Sequence, residues 1–111
     1  MGRIVVNLDS RRNTVSLEKA QGIRSVQILV IEPRRDLDFR KERTLRIKVE
    51  QDGRVMLDES ISTYVKSKLK KRRTAKFEDS ETYSNFDVVV ITVYDLNEDF
   101  KFAVDVLLSI S

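Results

Sequence analysis

Seven of the eleven residues at positions 66–76 are cationic and none is acidic: Lys66, Lys68, Lys70, Lys71, Arg72, Arg73 and Lys76. Clustered ammonium and guanidinium groups neutralise phosphates and release condensed counterions, which gives affinity for a polyanion without sequence reading. A run of this kind also passes as a nuclear-import patch. Tyr64 stands beside it and has a face on which a base could stack, although one aromatic is not a platform. Arg46, Lys48 and Arg54 would extend the patch if the fold brought them to the same surface. The plainer alternative is the solvated end of an amphipathic helix, or one exposed face of a strand.

The same run has a counterpart. From residue 77 onward there are eight acidic residues against the single cation Lys101, and Glu78, Asp79, Glu81, Glu98 and Asp99 fall in two clusters that form a candidate acidic partner surface. If the basic segment of one copy met the acidic segment of the next, the contact would be heterologous and could build a ring or lattice. The rival arrangement sets both segments side by side within one molecule. The overall net charge of +3 therefore conceals a basic run and an acidic C-terminal third.

Ordinary catalytic chemistry finds few residues to use. The chain has no cysteine and no histidine, so it lacks thiolate nucleophiles, disulfides, the commonest general base and the commonest metal ligand. Asp36 and Asp38 share a loop, but Arg34, Arg35, Arg40 and Lys41 flank them and favour surface ion pairs over a catalytic pair. Asp95, Asn97 and Asp99 have the alternate spacing that opens a calcium loop, without its central Gly and terminal Glu. The three glycines, Gly2, Gly22 and Gly53, are too scattered for a phosphate-binding loop. The sequence calls for no cofactor, no metal and no catalytic residue.

The elements that must carry these groups are mostly strands. Residues 86–95 and 100–110 are the two strongest segments. In the second, each even position is apolar, the period-2 pattern of a strand with one buried face; in the first, both faces are largely apolar. Together they read as a central antiparallel hairpin. Residues 24–32 form another apolar strand, with Val26, Ile28 and Val30 on one face and Leu29 and Ile31 on the other, ended by Pro33. Residues 3–8 and 14–18 read as a hairpin around the polar turn 9–13, with Gly22 in the connection that follows free to take a positive φ.

Residues 44–50 alternate cleanly, with Leu45, Ile47 and Val49 inward, and Asp52-Gly53 before the return strand 54–57 is a strong type I′ turn signal. Residues 34–43 read as a charged loop. Residues 58–72 fit a short helix capped by Asp58 or Ser60, or else a strand; the helix is taken here. Residues 74–85 read as loop, with room for a short strand near 75–77.

These elements fit one domain over residues 1–111, mainly β: an antiparallel β-sandwich-like pair of sheets with at most one short helix. No stretch has the length of a membrane span or the layout of a signal peptide. The expectation is a soluble chain, cytoplasmic or virion-associated. It acts without catalysis as a β-rich interaction or assembly module, a structural subunit of a larger complex such as a virus particle. Its partner is then a protein or a second copy of itself; the alternative is nonspecific nucleic-acid binding through residues 66–76.

Overall fold

In the computed structural model the described residues are 2–33, 45–61, 81–96 and 101–111, and they form two four-stranded antiparallel sheets. The strands are β1 (Gly2–Asp9), β2 (Thr14–Glu18), β3 (Ser25–Pro33), β4 (Leu45–Gln51), β5 (Arg54–Ser60), β6 (Thr82–Ser84), β7 (Val88–Asp95) and β8 (Ala103–Ile110). The first sheet has the order β1-β8-β3-β6 and the second β2-β7-β4-β5. A 3-10 turn at Lys19–Gln21 follows β2 and closes on Gly22 at φ 84°. The mainly-β, two-sheet architecture is the one the alternating patterns predict.

One apolar core lies between the sheets. The first sheet contributes Leu8, Val26, Ile28, Ile31, Tyr83, Val104, Val106 and Leu108; the second contributes Leu17, Leu45, Ile47, Val49, Val89, Ile91 and Val93. Each aliphatic side chain so placed stabilises the fold by roughly 1.5–3 kcal/mol relative to exposure. Ile61, Phe86 and Phe102 are buried with them. The inward set on β4 is the predicted Leu45, Ile47 and Val49, and the even positions Val104, Val106 and Leu108 of β8 are buried, as is Phe102 just before it.

Two expected hairpins are corrected. Residues 86–95 and 100–110 do not pair with each other: β7 and β8 lie in different sheets, each in the interior of its own. Likewise β1 pairs with β8 and β2 with β7, so the turn after β1 carries the chain from one sheet to the other. The turn after β1 is hydrogen-bonded to β7 and to the residue before β8. The Ser10 N–H donates to the Phe102 carbonyl at 3.1 Å, the Phe102 N–H donates to Ser10 Oγ at 2.8 Å, and the Val93 N–H donates to the Asn13 carbonyl at 2.9 Å. A strand with a strongly apolar face needs neighbours on both margins and a sheet opposite. Separating the partners into two layers supplies all three.

Three further expectations change. A bulge between Ile28 and Val30 inserts Leu29 as an extra residue opposite β8, so the side-chain parity reverses along β3. Ile31, not Val30, then joins Val26 and Ile28 in the core. Residues 82–84, read as loop, form β6 and pair with β3. The return strand after Gly53 continues to Ser60, so Asp58 is a strand residue and not a helix cap. Only Ile61 of the segment that follows is described, and the helix expected over the rest of 58–72 lies outside the described residues. Asp52 at φ 51° and Gly53 at φ 82° confirm the two-residue turn between β4 and β5.

Candidate interaction surface

The outer face of the second sheet is built by the residues that alternate with the core. On β4 these are Arg46, Lys48 and Glu50; register places Arg46 beside Tyr94 and Ser60, and Lys48 beside Thr92 and Asp58. The Tyr94 hydroxyl donates to Asp58 Oδ1 at 2.7 Å and accepts from Arg46 Nε at 3.2 Å. Arg46 also donates from Nε to Asp58 Oδ1 at 3.0 Å and from its terminal Nη2 to the Asp58 carbonyl at 2.8 Å. The Tyr94 hydrogen bond, and then that of Arg46, hold the Asp58 carboxyl below its ordinary value of 3.8 against the opposing effect of burial. Lys48 lies 3.4 Å from Glu50 and 5.8 Å from the centre of the Tyr94 ring.

Two of the cations offered to a phosphate by the sequence are therefore engaged within the sheet face. Arg46 and Lys48 are both half-buried among Asp58, Glu50 and Tyr94, while Arg54 is exposed at the start of β5. Lys66, Lys68, Lys70, Lys71, Arg72, Arg73, Lys76 and Tyr64 lie outside the described residues, as do Glu78, Asp79, Glu98 and Asp99. Glu81 alone of the predicted partner-binding groups is described, exposed and directly before β6. Asp36 and Asp38 are outside as well; Asp95 ends β7, and Asn97 and Asp99 are outside. Among the described residues no three His, Cys, Asp or Glu side chains gather as a metal site.

An open cleft of about 500 Å³ lies at the end of the sandwich where β4 turns into β5. Lys19, Arg24, Asp52, Asn85, Phe86 and Asp87 line it. Asp52 Oδ1 accepts the N–H groups of Asp87 and Val88, each at 2.9 Å, and so ties the turn to the start of β7. Two cations face two carboxylates there, and no single sign of charge is offered to a ligand.

The outer face of the first sheet differs. Val5, Leu107 and Val30 stand in one row across β1, β8 and β3, with Arg3, Ser109 and Gln27 in a row to one side and Asn7, Asp105 and Glu32 in a row to the other. Val5 is 59 % exposed, and at the opposite flank Val55 and Met56 on β5 are 55 % and 43 % exposed. Sequence reasoning did not single out these residues or the Arg46–Asp58–Tyr94 cluster. The outward parity of Arg46 was legible, but Tyr94 lies in a segment apolar on both faces, and Asp58 had no visible reason to join them until β5 was known to extend past it.

No family model matches the chain, and no curated protein matches it in sequence. Among the described residues no helix is long and apolar enough to cross a membrane.

Proposed function

We propose that the chain is a non-enzymatic β-rich interaction and assembly module, a structural subunit of a larger complex. The observation that carries this reading is that, among the described residues, three of the four exposed large apolar side chains lie on outermost strands, the fourth being Leu96 just after β7. Val5 lies on β1 at one flank, and Val55 and Met56 lie on β5 at the other. Strand margins and apolar side chains exposed together are what β-proteins normally avoid, unless a partner covers them. The basic run at 66–76 and the acidic C-terminal third support the same reading by offering complementary charge to a neighbouring subunit.

Size-exclusion chromatography with light scattering, at low and high salt and with and without a generic oligonucleotide, tests it. A discrete oligomer indifferent to the oligonucleotide is the expected result. A monomer that shifts onto the oligonucleotide only at low salt would overturn it in favour of polyanion binding by Lys66 to Lys76.

A further inference from the structure

Among the described residues four strands lie at sheet margins, and β1 is the one with the least protection. It has eight residues, against three in β6, five in β2 and seven in β5. β5 is interrupted by a bulge opposite Val49 and Glu50, whereas β1 runs in unbroken register with β8 from Gly2 to Asp9. It contains no proline, and its only charges, Arg3 and Asp9, stand near its two ends. Short length, bulges, proline and central charge are the usual guards against edge pairing, and β1 has none of them.

The hydrogen-bonding sense of β1 follows from its C-terminal end. The Asp9 N–H donates to the Arg12 carbonyl at 2.9 Å, away from β8, while the next N–H, of Ser10, crosses to Phe102. Backbone groups of an antiparallel strand alternate in direction. The even residues Ile4, Val6 and Leu8 therefore bond β8, and Arg3, Val5 and Asn7 turn their N–H and C=O groups outward. Their side chains are exposed too. Among the described residues no strand lies along that margin.

Building on the assembly reading above, we propose that this margin binds a second copy of the chain, β1 against β1, antiparallel about a two-fold axis through Val5. The three outward residues are spaced symmetrically about that axis. Arg3 then opposes Asn7 of the partner subunit, and Val5 opposes Val5 of the partner subunit. The three opposed pairs exchange about six N–H···O=C bonds, two for each pair. On the core side Ile4 meets Val6 of the partner subunit, and on the outer face Arg3 lies diagonal to Asp9 of the partner subunit, within reach of a long side chain. Shifting the axis to Val6 would instead oppose Arg3 to Asp9 of the partner subunit, whose N–H the turn already uses. The pairing joins the two first sheets into one continuous sheet.

The absence of cysteine makes the test direct. In this register the Val5 Cα atoms lie about 5.5 Å apart, within disulfide reach. The two Asn7 Cα atoms are separated by about 14 Å. Under mild oxidation Val5→Cys should form a disulfide dimer, Asn7→Cys alone should not, and a mixture of Arg3→Cys with Asn7→Cys should cross-link. Val5→Pro removes an outward N–H that β8 does not use, and Val5→Lys places like charges at the axis. Both should stay folded by circular dichroism and show half the wild-type mass by light scattering. Should Val5→Pro unfold, Val5→Lys and the cross-links decide alone. An oligomer that survives Val5→Lys and in which Val5→Cys does not cross-link overturns this interface while leaving the assembly reading intact. A wild-type chain that stays monomeric at high concentration in both salts overturns both.

Discussion

Tyr94 acts through its hydroxyl, which joins Asp58 and Arg46 on the outer face of the second sheet. Tyr94→Phe keeps the ring beside Lys48 but removes both hydrogen bonds. It should lower stability by roughly 0.5–1.5 kcal/mol, toward the low end because the site is partly solvated, as read from urea unfolding. The pH dependence has a definite sign. Asp58 is held below 3.8 in the folded chain, so its contribution is present above that value and is lost as pH falls through the depressed one. The stability gap between wild type and Tyr94→Phe should narrow on going from about pH 7 to about pH 3. Asp9 is depressed in the same direction, chiefly by accepting the Arg12 N–H and then the Arg11 N–H, each at 2.8 Å.

The turn between β4 and β5 and the bulge in β3 each fix an element's register. Gly53 stands at φ 82° with open space where a side chain would go, so Gly53→Ala incurs only the backbone cost, about 1–2 kcal/mol. Asp52→Ala removes the shared acceptor of the Asp87 and Val88 N–H groups at an exposed site where water can replace it, and should cost roughly 0.5–1.5 kcal/mol. Chemical denaturation of both variants checks these values. On β3 the bulge gives a contrast that alternation alone would reverse. Ile31→Ala empties a fully buried position and should cost about 2–5 kcal/mol, whereas Val30→Ala, at a half-buried position, should cost roughly 1 kcal/mol or less. The alternation of β4 and the Asp52-Gly53 turn were legible because their causes lie within a few residues. The bulge was not, since it is defined only by where β8 sits opposite.

Across the whole molecule the strands that pair come from distant parts of the chain: Gly2 is in register with Ile110, and Thr14 with Thr92. Such pairings carry a large loop-closure cost before they are rewarded, so refolding should take milliseconds to seconds, as stopped-flow fluorescence of the tyrosines would read, rather than microseconds. The candidate interaction surface divides in the same way. The charge segregation between residues 66–76 and the acidic C-terminal third is written in the composition, while the exposed margin of β1 and the Arg46–Asp58–Tyr94 cluster exist only once strands are placed. By itself the sequence determined the mainly-β class, the inward faces of β4 and β8, and the tight turn at Asp52-Gly53, because alternation and positive φ are properties of neighbouring residues. The tertiary structure alone decided that β1 and β2, and β7 and β8, part into opposite sheets. A two-residue period says which side of a strand is apolar, but not which strand stands beside it and which across the core.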